Sequence, residues 1–256
     1  MQEPLLYDSH THLYDERFDS DRDEVLKRCS EKMRGWINVG SDLKTTKSSI
    51  ELATRFPQSS ASSGVHPHDA KQHSLAELDE VLSLYSHSSV VAAGEMGLDY
   101  YYDNSPREIQ SQVFKKQLEA AKEAGMPCII HVRDAFDDFF EIVDEVNYYQ
   151  GVVHCFSGGV AEAMEALRRG FHLGYGGLLT FKNAQITREA FLATPIDRVL
   201  LETDCPYLTP HPQRGKRNEP IFVSYVATKM SELTQHSEIE ILNQTYKNAK
   251  ALFNLF

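Results

Sequence analysis

The chain has 256 residues, 41% of them hydrophobic and 25% charged, and a formal net charge of −11. Those values suit a globular protein that buries one large core and exclude a disordered, fibrous or membrane-spanning chain, since no apolar run approaches the roughly 20 residues a bilayer needs. The acidic balance also disfavours wide, nonspecific attraction to nucleic acid, although bound divalent cations do not enter such a count.

Met1-Gln2-Glu3-Pro4 lacks the basic and apolar regions of a secretory signal. Cys29, Cys128, Cys155 and Cys205 form no C-x-x-C pair and are expected as small buried hydrophobes. Both features point to a reducing, cytoplasmic setting without membrane attachment.

Eight short apolar segments recur along the chain. Leu5-Leu6-Tyr7 runs into Asp8-Ser9-His10-Thr11-His12. On extended backbone, residues i and i+2 point to one side, so His10 and His12 can reach the same ion. Trp36-Ile37-Asn38-Val39 and the segment 61–65 follow, the latter leading to His66. Val90-Val91-Ala92-Ala93 enters Gly94-Glu95-Met96-Gly97, whose glycines let backbone approach closely beside Glu95. The periodicity predicts a helix over 109–124 that carries Val113, Leu118 and Ala121 on one face and stops at Gly125. Cys128-Ile129-Ile130 ends at His131, and Val152-Val153 at His154. A helix over 161–169 stops at Gly170, before the segment 171–175. Val199-Leu200-Leu201 leads through Glu202 and Thr203 to Asp204, and Pro206 ends that strand. Helices over 221–233 and 239–252 complete the chain.

Continuous apolar runs are the mark of strands buried on both faces. Eight of them alternating with helices in this length predict a (β/α)8 TIM barrel, read as a single domain over 1–256. A doubly wound open sheet has the same periodicity. It does not bring five strand ends to one point, however, whereas a barrel does so at its carboxyl-terminal face.

A single histidine at such a position usually serves packing. His10, His12, Glu95, His131, His154 and Asp204 together, each at the end of an apolar run, point to a metallohydrolase. Six nitrogen and oxygen donors exceed one tetrahedral zinc and suit two divalent ions, with His10, His12 and Asp204 on one, His131 and His154 on the other, and Glu95 bridging. With no thiolate in the set, magnesium, manganese and zinc are all compatible. Asp204 is the candidate general base for a metal-activated water, with Glu95 the second catalytic carboxylate. Glu202 points to the same side two residues earlier, placed to contact metal or to support a neighbouring histidine.

The blocks Asp8-Ser9-His10-Thr11-His12, Gly64-Val65-His66-Pro67, Gly94-Glu95-Met96-Gly97-Leu98-Asp99-Tyr100, His154-Cys155-Phe156-Ser157-Gly158 and Glu202-Thr203-Asp204-Cys205-Pro206-Tyr207-Leu208 carry a family resemblance. The chain resembles the TatD-type metal-dependent deoxyribonucleases of the amidohydrolase superfamily through essentially its whole length. The resemblance implies a barrel hydrolase that cleaves DNA phosphodiesters from a 3′ end, with His10, His12, Glu95, His131, His154 and Asp204 as metal ligands. Cys205 and Ser157 stand where alanine and threonine are usual. Glu95 stands where related amidohydrolases often carry a modified lysine.

For substrate contact, His66 and Arg133 are placed to meet phosphate, as are Arg214, Lys216 and Arg217 in the cationic loop that follows Asp204. Tyr100, Tyr101 and Tyr102 offer aromatic surface for base stacking. The expected substrate is DNA, read with little sequence specificity and preferably as single strands or frayed ends; no obligate protein partner is expected. A small-molecule esterase or lactonase is the rival reading, because the same centre polarises a carbonyl. A noncatalytic metal-binding module is the third.

Overall fold

The computed structural model describes residues 5–255, so Met1–Pro4, which were read above for a signal, lie outside the described residues. Strands β1 (Tyr7–Thr11), β2 (Gly35–Asn38), β3 (Ser59–Ser63), β4 (Val90–Asp99), β5 (Cys128–Arg133), β6 (Gly151–Val153), β7 (His172–Tyr175) and β8 (Val199–Leu201) pair in chain order, all parallel. Between them run α1 (Arg22–Lys32), α2 (Leu43–Thr54), α3 (Leu75–Ser83), α4 (Arg107–Ala124), α5 (Phe136–Val146), α6 (Val160–Arg169) and α7 (Gln185–Ala193), and after them α8 (Val223–Leu233) and α9 (Glu238–Leu252). This is the expected (β/α)8 barrel. The strand ends differ from the apolar runs: β1 extends to Thr11, β4 to Asp99 and β5 to Arg133, whereas β3 stops at Ser63. Ladder bonds continue into polar residues, so the functional side chains stand within or just beyond the strands.

Alternation sorts the strands into an inside and an outside. Tyr7, Ile37, Val39, Ala92, Ile129, Val152 and Leu200 form one buried cluster, joined from below by Ala249, Leu252 and Phe253 of the last helix and the turn after it. Their neighbours Trp36, Ala93, Cys128, Ile130, Val153, Val199 and Leu201 belong to the larger core under the helices. The last helix therefore closes the amino-terminal end of the barrel, and Asn248 fixes it there by donating to the carbonyls of Ile196 and Val199, each at 2.8 Å.

Two strands break the alternation. Between Asp8 and Thr11, β1 advances three residues while β2 advances two, from Trp36 to Asn38. Between Ala93 and Met96, β4 likewise advances three while β5 advances two. One extra residue switches which parity faces inward. Strict alternation from Tyr7 would turn Ser9 and Thr11 inward, and from Ala92 it would turn Gly94 inward. The insertions turn His10, His12 and Glu95 inward instead. Gly94 permits the second insertion: its φ is +132°, and a Cβ there would stand 2.3 Å from the Ile129 carbonyl oxygen.

The seam between β1 and β8 carries a single parallel bridge, Thr11 to Cys205. Side chains reinforce it. The fully buried Asp8 accepts from the backbone N–H of Thr203 at 2.9 Å, from the Thr203 hydroxyl at 2.5 Å and from the N–H of His10 at 3.1 Å. The Ser9 hydroxyl donates to Leu201 O, and Asp204 N to His10 O. Among the described residues no helix is long and apolar enough to cross a membrane.

Removing the Asp8 carboxyl leaves buried donors without an acceptor. Asp8→Ala is expected to lower unfolding stability by about 2–4 kcal/mol. A urea midpoint unchanged from wild type would show that the seam does not depend on this side chain.

Candidate metal centre

The inward parity that fills the barrel with aliphatic side chains continues upward into polar ones. His131 lies two residues after Ile129, His154 two after Val152, and Glu202 and Asp204 two and four after Leu200. Together with His10, His12 and Glu95 they converge at the carboxyl-terminal end of the barrel, where a cleft of about 800 Å³ opens. His12, His66, Glu95, His131, His154 and Asp204 line its floor, and His10 is buried directly beneath.

Glu95 organises the cluster. Its Oε2 lies 3.4 Å from His10 Nε2 and 3.9 Å from His12 Nε2. Its Oε1 lies 2.8 Å from His154 Nε2, 3.2 Å from His131 Nδ1 and 3.5 Å from His66 Nε2. Asp204 Oδ1 faces the first group, 3.3 Å from His12 Nε2 and 3.8 Å from His10 Nε2. The sets His10–His12–Glu95 and His66–Glu95–His131 each gather their donor atoms within reach of one cation. The donor chemistry fits divalent ions. The close approach of His154 to Glu95 is not an aligned hydrogen bond, and both ring nitrogens of His154 and Nδ1 of His10 are buried without a hydrogen-bond partner.

Supporting groups fix the rings. His12 Nδ1 meets Tyr14 Oη at 2.9 Å and Val39 O at 3.1 Å, which leaves Nε2 for the cluster. Asp99 Oδ2 accepts from His131 at 2.9 Å and from His68 at 3.0 Å. Glu202 Oε1 accepts from Cys155 N at 2.6 Å and lies 3.5 Å from His154 Nδ1, a charge contact behind that ring rather than an aligned hydrogen bond. Gly174 makes room for it, since a Cβ there would stand 2.3 Å from Glu202 Oε2.

Burial opposes charge throughout the cluster, and mutual attraction overrides it. Against burial, His154, His66 and His10 hold the Glu95 carboxyl well below the usual carboxylate range. Against burial, Glu95 and Glu202 push His154 well above an ordinary imidazole, while Asp99 and Glu95 raise His131 and Asp204 raises His12. In His66 and His10 burial wins, and both are lowered.

The residues expected to contact substrate separate. Arg133 lines the cleft, its guanidinium 3.9 Å from the ring centre of Tyr101 and 4.9 Å from that of Tyr102. His66 also lines the cleft, its Nε2 3.5 Å from Glu95 Oε1 and within the set His66–Glu95–His131. The cationic loop does not line the cleft. Arg217 is bound by Asp21 and Glu219 and covers Phe18; Lys216 donates to Gln213; Arg214 lies over Phe181, which does line it. Tyr100 is held by Asp138 and Arg107. His68, Asp99, Tyr14 and Asp8 escaped the sequence reading. For Asp99 a signal existed, because it follows Glu95 by four residues on the same face of β4.

Because three of the histidines are raised, an incoming cation must displace protons from them. Apparent affinity for manganese or zinc is expected to rise as pH increases from about 6 to 8, with proton release on binding; calorimetry in buffers of different ionisation enthalpy would detect this, and binding without proton release would contradict it. Gly174→Ala should displace Glu202 and weaken metal affinity by about 10–100-fold with the fold retained. Unaltered affinity would mean that Glu202 does not tune His154.

The family model for TatD-related DNase matches residues 7–254. The chain is 43% identical over 254 residues to the uncharacterized metal-dependent hydrolase YabD of Bacillus subtilis, covering 98% of this chain and all of that one. It is 30% identical over 259 residues to the 3′-5′ ssDNA/RNA exonuclease TatD of Salmonella typhimurium, covering 98% and 99%. The crystal structure of YjjV, a TatD homolog from Escherichia coli, superposes with a TM-score of 0.92 at 29% identity, covering 98% of both chains. With that match over almost its full length and a His/Glu cluster able to hold metal, the chain belongs to the TatD-related DNase family and is a metal-dependent hydrolase.

Proposed function

We propose that the protein is a deoxyribonuclease that removes nucleotides in the 3′-to-5′ direction from single-stranded or frayed DNA. The observation that carries this reading is the position of Glu95, whose two oxygens face two separate groups of donors. That arrangement suits a pair of ions held by His10, His12 and Asp204 on one side and His131 and His154 on the other, with Glu95 between them. His66 joins the second group. Magnesium, manganese and zinc all suit such donors. The Salmonella relative's name supports the polarity and the single-stranded substrate. The four free thiols fit a cytoplasmic setting.

Divalent ions in this cluster would activate a water and neutralise charge developing on the phosphoryl oxygens. The protein's own part follows from its geometry. Asp204 lines the cleft with His12 at its side and accepts the proton of the attacking water. Burial opposes its ionisation, but His12 and His10 hold its carboxyl below the usual range, so it is ionised at neutral pH. Asp99 keeps His131 in one orientation through its hydrogen bond, and Glu202 faces the Nδ1 side of His154 with its charge. Arg133, on the cleft wall, offers a guanidinium fork to a phosphate of the bound strand.

Asp204→Asn is expected to leave the fold intact and reduce turnover on end-labelled single-stranded DNA by about 100-fold or more. The assay uses chelator-stripped protein with magnesium, manganese or zinc restored. Undiminished activity would remove Asp204 from proton transfer. Absence of cleavage by the wild type with every metal, alongside hydrolysis of a small ester, would favour the esterase reading.

A further inference from the structure

The two walls of the cleft that face each other across the barrel carry the same kind of stack with opposite electrostatic character. In an eight-stranded barrel closed in chain order, the β8–β1 seam lies opposite the β4–β5 pair. On the β4–β5 side, Arg133 stands against Tyr101 and Tyr102, which are 59% and 57% exposed. Arg133 has no side-chain hydrogen bond or ion pair among the described residues, and it is the only lysine or arginine lining the cleft. Its donors are free for phosphate.

On the seam side, Arg17 stands 4.1 Å from the ring centre of Tyr207, which is 47% exposed. Here the guanidinium is paired with a carboxylate: Nε and Nη2 both donate to Asp15 at 2.8 Å, and the Tyr207 hydroxyl leans on the same carboxylate at 3.4 Å. Asp15 lines the cleft and Arg17 does not. A ligand on this wall meets an aromatic ring and a carboxylate, with no uncommitted cation. Each wall also touches the centre, since Tyr207 lies edge-on to His12 and Tyr102 edge-on to His68.

We propose that the Asp15–Arg17–Tyr207 wall is an end-selecting subsite, which accepts the last nucleoside of a strand ending in a free hydroxyl and rejects one that bears or continues into another phosphate. This rests on the exonuclease reading above. Tyr207 supplies a face for the terminal base, and Asp15 can accept a hydrogen bond from a terminal hydroxyl while repelling a phosphate. The rest of the strand leaves over the opposite wall, where Arg133 holds phosphate and Tyr101 and Tyr102 hold base. The scissile linkage then lies over the cluster on the cleft floor. The lopsided charge makes the site an end-cutter.

The test compares the metal-loaded protein on single-stranded oligonucleotides identical except for a 3′-hydroxyl or a 3′-phosphate, with a circular single strand alongside. The hydroxyl-ended strand is expected to be cleaved at least about tenfold faster in kcat/KM, and the circle to resist. Asp15→Asn removes the repelling charge and releases Arg17, so the ratio between the two ends should fall to within about threefold or invert. Arg133→Gln should raise KM by a factor that grows with oligonucleotide length. Equal cleavage of both ends by the wild type, or an end ratio unchanged by Asp15→Asn, would overturn the subsite while leaving the nuclease reading in place. The wild-type comparison stands even if the variant fails to fold. Failure to cleave any oligonucleotide would remove the nuclease reading and the subsite with it.

Discussion

The barrel closes on a buried carboxyl group as much as on a ladder. β1 and β8 are the first and last strands of the sheet, and one bridge joins them. Asp8 reinforces it by gathering the amide and hydroxyl of Thr203 and the amide of His10 onto one buried side chain. The groups it ties are the neighbours of functional ones: His10 on one strand, and Asp204 immediately after Thr203 on the other. A seam that opened by a few tenths of an ångström would part His12 from Asp204. The same interaction thus closes the fold and sets the spacing of half the centre.

Much of the centre was legible because parity carries it. His131, His154, Glu202 and Asp204 stand an even number of residues beyond inward-facing aliphatics, with no inserted residue in the ladder before them. His10, His12 and Glu95 sit on the wrong parity for their strands, and inserted residues correct it. The apolar runs do not reveal those insertions. The residues were found through their chemistry and their motif, and the geometric reason for their inward aim emerges only from strand register. Eight repeats and the helix stops at Gly125 and Gly170 were likewise readable, since both rest on local chemistry.

What escaped depends on distant partners. Arg217 looks like a free cation in its own loop, yet its partner Asp21 is 196 positions away in the chain. Asp99 shows its role only when β5 is laid beside β4 and His131 meets it. The net charge of −11 suggested poor attraction to phosphate, but the distribution matters more than the sum. Most arginines are tied to carboxylates or carbonyls, and Arg133 is left with its donors free at the one place where an anion would enter.

The candidate centre draws on side chains from His10 to Asp204, which spans most of the chain and, with His66 after β3, the ends of six of the eight strands. No fragment that stops short of β8 contains both His12 and Asp204, and a chain still emerging from the ribosome lacks the seam that would hold them together. A half-made or truncated chain therefore lacks the assembled cluster, and that cluster arrives only with the completed barrel.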